Sequence, residues 1–320
     1  MASPADSRIV SLLPAATEIA WTLGLGDRLV GRSHECDVPD AVLRLPALTR
    51  PRLDPTRSSH EIHEAVGQAM TSAHATSSAL FELDIEALAA LAPDVILSQD
   101  TCDVCAISGD DVHEAVRRSG HPSRMVPLSA TSLAGLWTDI LAVGQATGAL
   151  PTAREAIARL QARCDSIACR AGAIARPRGS ARPRVAVVEW LDPPMAAGNW
   201  VPELVSLAGG EDVLGRGGEH SHWITWPDVL AADPDVVIVA PCGFTLERIV
   251  KEVATDAVAP HLRTLRAALV GNLWALDGHH LLNRPGPRLV DSLEVMAEIL
   301  NPCNFRFEAT SRFATRISVA

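Results

Sequence analysis

The 320-residue chain contains no tyrosine, and aromatic residues make up only 4% of it. No apolar run approaches the roughly 18 residues that a membrane-crossing helix needs, which excludes a helical span. No basic stripe offsets the formal net charge of -10, so neither a nucleic-acid backbone nor an anionic lipid surface is expected as a partner. The densest arginine group, within residues 170–184, reads as a solvated linker. A nucleophile elbow, a Walker loop and a dinucleotide-binding glycine turn are all missing, and Gly24-Leu25-Gly26 closes a helix rather than opening one. The N-terminal residues lack a charged segment followed by an unbroken apolar stretch and a cleavage site, and no lipid-anchor cysteine is found there. That pattern predicts a cytoplasmic location, with a periplasmic or otherwise extracytoplasmic one as the alternative.

What is present is an ordinary globular composition, 48% hydrophobic and 21% charged, over a length at which two domains are the default. One stretch organises the rest. Residues 84–105, DIEALAALAPDVILSQDTCDVC, read as a short helix, a Pro-Asp turn, a buried strand and a loop with two cysteines. Residues 225–244, TWPDVLAADPDVVIVAPCGF, repeat the scheme around Pro234-Asp235 where the first copy has Pro93-Asp94. A second echo pairs Gly24-Leu25-Gly26-Asp27 with Gly209-Gly210-Glu211-Asp212, in the same order along the chain. Continuous Val/Ile/Leu runs between helical patterns predict parallel sheets covered on both faces, with ligands gathering beyond the carboxyl ends of the strands.

Further strands are expected at residues 8–12, 29–31, 124–127, 185–189 and 272–276, and helices at 110–118, 132–147, 201–208 and from about Pro287. Residues 41–58 read as extended coil before a polar helix over 59–70. A long helix over 152–174 carries apolar residues at threes and fours (Ile157, Leu160, Ile167, Ala171) and ends in RPRGSARPR, the best domain boundary. Cys164 and Cys169 on it read as small buried hydrophobes. The expected division is a lobe over 1–150, a connecting helix over 151–178, a second lobe over 179–302 and a peripheral tail over 303–320.

RIVSLLPAATEIAWTLGLGDRLVG, the ALAPDVIL and VLAADPDVVIV units, LVSLAGGEDVLG and RPGPRLVDSLEVMAEIL together resemble the helical-backbone (class III) substrate-binding proteins of ABC transporters, within them the cobalamin-binding branch. The resemblance spans about residues 8 to 301. It implies an α/β protein of two Rossmann-like lobes with parallel sheets, joined by one long backbone helix, with a ligand cleft between the lobes. It also implies a non-catalytic role: capture of cobalamin, another corrinoid or a related metal chelate for an ABC permease. Members tend to carry an acidic residue on each lobe for docking; here Glu86 stands seven positions before the first Pro-Asp turn, and Pro227 stands at the matching place in the second half.

If the halves face each other, the loops after their strands bring His34, Glu35 and Cys36 toward Cys102, Cys105 and Cys242. Four thiolates could hold zinc or an iron–sulfur cluster, which makes a cysteine-ligated metalloprotein the alternative reading. Cleft-lining thiols without metal remain open beside it. His34, His279 and His280 are candidate ligand contacts, since imidazole is a common donor to cobalt or zinc; a loop histidine is also often just a hydrogen-bonded surface residue. Four of the seven tryptophans crowd into the start of the second half, and Trp190, Trp200 and Trp223 are the expected flat contacts for a large, mostly apolar ligand. Trp226 reads as core. Arg284, in NRPGPR, either binds amide or carboxylate groups of the ligand or serves as a structural cap.

Overall fold

The computed structural model describes residues 6–71, 80–99, 107, 109–174 and 181–318. The elements begin with β1 (Ile9–Ser11), α1 (Pro14–Thr22), β2 (Leu29–Arg32), β3 (Thr49–Pro51), α2 (Ser59–Met70), β4 (Phe81–Leu83), α3 (Ile85–Leu91), β5 (Val95–Gln99), α4 (Gly109–Ser119), β6 (Arg124–Leu128), α5 (Leu133–Thr147) and α6 (Leu150–Gly172). They continue with β7 (Arg184–Leu191), β8 (Pro194–Ala196), α7 (Val201–Leu207), β9 (Glu211–Asp212), β10 (His222–Trp223), α8 (Trp226–Ala232), β11 (Val236–Val239) and α9 (Leu246–Val253). The chain finishes with α10 (Ala259–Arg263), α11 (Arg266–Leu269), β12 (Leu273–Leu276), α12 (Leu289–Leu300), α13 (Thr310–Phe313) and β13 (Ala314–Arg316).

Two compact α/β units result. The first comprises Met1–Arg57, Glu61–Ala130 and Ala134–Arg159; the second comprises Ser58–His60, Thr131–Leu133 and Leu160–Ala320. The 23-residue α6 begins in the first unit and continues in the second. In the first unit β2-β1-β5-β6 form an all-parallel sheet, and Val10, Leu12, Leu88, Ile96 and Val112 fill the core on one of its faces. In the second, β7, β11 and β12 run parallel in register, Val237 beside Ala186 and Leu273. The parallel strands at the centre are the apolar runs of the sequence: every residue of β11 is buried, as are four of the five in β5. Antiparallel β8, β10 and β13 complete the second sheet at its edges, and β3 and β4 pair in a stretch where mostly coil is expected.

The repeated Pro-Asp motif has one physical job, done twice. Each short helix ends on a left-handed residue, Ala92 (φ 42°) or Asp233 (φ 41°), and the proline that follows prevents the helix from continuing. The aspartate then clamps the start of the neighbouring strand. Asp94 N–H donates to Arg8 O (2.9 Å) and its Oδ2 accepts from Arg8 N (2.8 Å); Asp235 N–H donates to Arg184 O (2.8 Å) and its Oδ2 accepts from Arg184 N (2.9 Å). Both arginines also reach back to the end of the short helix, Arg8 Nε to Leu91 O (3.0 Å) and Arg184 Nη2 to Ala232 O (2.8 Å). The glycine echo is likewise structural: Gly24 (φ 72°) and Gly209 (φ 92°) close α1 and α7 in the left-handed region. At the other end of α3, Asp84 accepts from Ala87 N (2.9 Å); Asp84→Ala should therefore lower stability by about 1 kcal/mol, visible as a lower denaturation midpoint.

Three expectations are corrected. Cys164 is buried, with its thiol pushed up to about 11 by desolvation, but Cys169 on the same helix is exposed. Trp200, expected as a ligand contact, lies in the turn just before α7 and is buried. Residues after 303 are not peripheral, because Phe305 is buried in the core and β13 pairs with β12, Leu276 beside Ala314. The Glu298 carboxylate on α12 makes this possible, accepting from the N–H groups of Phe307, Glu308 and Thr310 and from the Thr310 hydroxyl.

Candidate functional site

In the second unit the loops leaving β7, β11 and β12 are laced together at the carboxyl ends of their strands. Cys242 N donates to Glu189 O (3.1 Å), Gly278 N and His279 N both donate to Phe244 O (3.1 and 3.0 Å), and Asn283 Nδ2 donates to Ala240 O (2.9 Å) and Gly278 O (3.1 Å). Gly278 is required by space: a Cβ there would stand 2.1 Å from Pro241 O. The close approach fixes where the next residues point.

Asp277 is the organiser of that loop. Its Oδ1 accepts from the N–H groups of His279 (2.9 Å) and His280 (2.8 Å), and its Oδ2 lies 2.8 Å from His280 Nδ1. Burial raises the Asp277 carboxyl, but the hydrogen bonds from the His280 ring and from the two N–H groups outweigh it and hold it below the ordinary aspartate value. An ionised Asp277 makes Nδ1–H the donor, so the lone pair of His280 is on Nε2. This carboxylate–imidazole arrangement orients histidines toward metals in proteins generally. His279 packs edge-on against His280 with ring centroids 4.6 Å apart, and its Nε2 takes an N–H from Arg284 Nη2 (3.1 Å). Arg284 is thus a buried prop behind His279, which favours the capping role of the two expected for it.

The tryptophans divide. Trp190 is half-buried at the end of β7, edge-on to Phe244 (5.5 Å), with its indole N–H on Ser59 O (3.2 Å). Trp223 lies on β10, opposite Met195, and is 54% exposed. Trp200 donates its indole N–H to Leu282 O (2.8 Å) and supports the segment after His280 from inside the core. Trp226 is buried as expected.

In the first unit, Leu12, Pro14, Ser33, His34, Glu35, Thr49, Phe81 and Ile107 line a shallow hollow beside the ends of β1 and β2, with enclosed room of only about 10 Å³. His34 is held by Thr49 and tilts against Phe81 (5.8 Å between rings). Cys36 is fully buried, accepting from Thr17 Oγ1 at 3.0 Å, so its sulfur faces the core. Cys102 and Cys105 lie outside the described residues, and Cys242 is half-buried in the second unit. Among the described residues no cysteine joins a cluster of three or more potential metal ligands. Glu86 is exposed in the first turn of α3. Pro227 occupies the matching turn of α8, and the acid beside it, Asp228, closes a capping box with Thr225.

The roles of Asp277, Phe244 and Gly278 are not legible in the sequence. Asp277 precedes the two histidines, but only the fold shows its carboxylate turning back onto them.

Comparison with known proteins identifies the family. Residues 9–270 match the family described as periplasmic binding protein. A cobalamin-binding protein of Halobacterium salinarum is 25% identical over 296 residues, covering 91% of this chain and 68% of the relative. Among solved structures, a periplasmic heme binding protein from Pseudomonas aeruginosa superimposes with a TM-score of 0.72 at 21% identity, covering 98% of both chains. The periplasmic vitamin B12 binding protein of Vibrio cholerae gives 0.66 at 21% identity, covering 93% of this chain and 98% of its own. The expected cytoplasmic location is overturned by this match, since the family is extracytoplasmic. Its physical basis was weak: the residues from Ile9 form β1 between β2 and β5, and a central strand of a folded domain carries no address. With the family matched over most of its length, the chain is a member of the periplasmic binding protein family.

Proposed function

We propose that this protein captures a metal-bearing tetrapyrrole, in the first instance a corrinoid, and hands it to an ABC permease. The observation that carries the reading is the Asp277–His280 pair, an imidazole whose Nδ1 is engaged by a buried carboxylate, on a loop pinned by backbone contacts. Such an imidazole can ligate cobalt or iron through Nε2 with little reorganisation. Trp190 and the exposed Trp223 add flat apolar surface in the same unit. The cobalamin-binding relative favours a corrinoid, and the fold-level likeness to a heme binding protein favours heme as the second reading. Glu86 is the proposed contact to the permease on the first unit, through charge-assisted pairing with basic residues.

Titration with dicyanocobinamide, cyanocobalamin and hemin, followed by visible absorbance and calorimetry, tests the proposal. Saturable corrinoid binding is expected, and His280→Ala should weaken a ligand with an exchangeable axial position by about tenfold or more. No heat and no spectral change with any of the three would remove the reading.

A further inference from the structure

We infer that Glu252, on α9, is a positioning residue for the ligand: through Ser59 it fixes the Trp190 indole as a preset wall for the macrocycle. The inference rests on the tetrapyrrole reading above and deepens it. Ser58–His60 belong to the second unit although the rest of α2 belongs to the first, so Ser59, Glu252 and Trp190 are parts of one compact body. The first N–H groups of a helix have no partner within it. Glu252 supplies one from another element, its Oε1 accepting from Ser59 N (2.7 Å) and from Ser59 Oγ (2.5 Å). A carboxylate suits the place, because a helix N-terminus carries partial positive charge. Ser59 is fully buried, and its carbonyl accepts the indole N–H of Trp190 (3.2 Å).

Trp190 is thereby held at two points. Its nitrogen rests on Ser59, and its ring meets Phe244 edge-on, with centroids 5.5 Å apart and planes at 71°. Phe244 is itself immobilised: it is buried, the Arg248 guanidinium lies 3.4 Å over its ring, and its carbonyl accepts from Gly278 N and His279 N. The indole and the histidine loop therefore take their positions from one residue. An aromatic face fixed before binding spares the ligand the cost of ordering it, an effect of about threefold to tenfold in affinity for one side chain. Without the Glu252 carboxylate, two donors of Ser59 lose their acceptor, and the carbonyl that anchors the indole loses its support.

Dicyanocobinamide is to be titrated into wild type, Glu252→Ala, Glu252→Gln, Trp190→Phe and the double variant Glu252→Ala/Trp190→Phe. Glu252→Ala should weaken binding about fivefold, and Glu252→Gln, whose amide oxygen still accepts from Ser59, should stay within about twofold of wild type. Trp190→Phe keeps an aromatic ring but has no N–H for Ser59 O, so adding Glu252→Ala to it should cost less than about twofold more. A second readout needs no ligand. In the indole N–H spectrum of ¹⁵N-labelled protein, the Trp190 signal, identified by its loss in Trp190→Phe, should shift in Glu252→Ala while the other indole signals stay in place. A full effect of Glu252→Ala in the Trp190→Phe background, or an unmoved Trp190 signal, overturns the inference and leaves tetrapyrrole binding standing. If wild type binds neither dicyanocobinamide nor hemin, the tetrapyrrole reading falls and the inference falls with it.

Discussion

Gly278→Ala is expected to abolish high-affinity ligand binding and to lower stability by about 3 kcal/mol, although it adds a single methyl group. The new Cβ would meet Pro241 O at 2.1 Å, Pro241 C at 2.8 Å and Ala240 O at 2.9 Å. All three are backbone atoms of the segment leaving β11, so none can swing aside as a flexible side chain would. The loop after β12 must retreat instead, taking with it the hydrogen bonds of Gly278 to Phe244 and of Asn283 to Ala240 and Gly278. Asp277 and His280 lie on the retreating segment, so the imidazole loses its aim together with the loop. Gly243→Ala is the informative control. Gly243 has φ 75°, and nothing stands within 4 Å of its Cβ position, so its variant carries only the conformational cost of about 1 kcal/mol. Denaturation midpoints and dicyanocobinamide titrations of both variants decide the matter. A Gly278→Ala protein with wild-type midpoint and affinity would show that the close approach does not set the site.

The sequence exposes the frame of this protein because the frame is repetitive and apolar. A buried parallel strand has to be a Val/Ile/Leu run, and a helix ending in Pro-Asp has to turn, so α3-β5 and α8-β11 are legible twice over. The clamp from Asp94 to Arg8 and from Asp235 to Arg184 spans many residues in each unit, and no local pattern announces it. Edge strands are hidden for a related reason. β8, β10 and β13 are two or three residues long, and their pairing depends on what lies opposite rather than on their own composition. The candidate site is legible as residue types and not as roles. His34 and His280 stand out as imidazoles after strands, but whether each nitrogen donates or accepts is decided by Thr49 and Asp277. Trp200 and Cys36 show the opposite error: each has a chemically suggestive side chain that the fold turns into the core.

Glu298→Ala should cost about 3 kcal/mol and also weaken ligand binding, although residue 298 is remote in sequence from the histidine loop. The carboxylate accepts from the N–H of Phe307, from Glu308 N (2.7 Å), from Thr310 N (2.7 Å) and from Thr310 Oγ1 (2.6 Å), so alanine strands several donors at once. Those residues lead directly into α13 and β13. Phe313 O accepts from Asp277 N (2.8 Å), and β13 pairs with β12 up to Leu276, so the C-terminal segment braces the residue that holds His280. Burial raises the Glu298 carboxyl, but the hydrogen bonds from Thr310, Phe307 and Glu308 outweigh it and keep it below its ordinary 4.5. A carboxyl depressed by folding stabilises fully above its unfolded value and loses that contribution as pH falls through the folded one. The stability gap between wild type and Glu298→Ala should therefore be constant near neutrality and shrink once the pH drops below about 4.5. Hydrogen exchange should report the same coupling, with faster exchange at Asp277 and Ile317 in the variant. Unchanged protection at Asp277 would separate the C-terminal segment from the site and confine Glu298 to a local role.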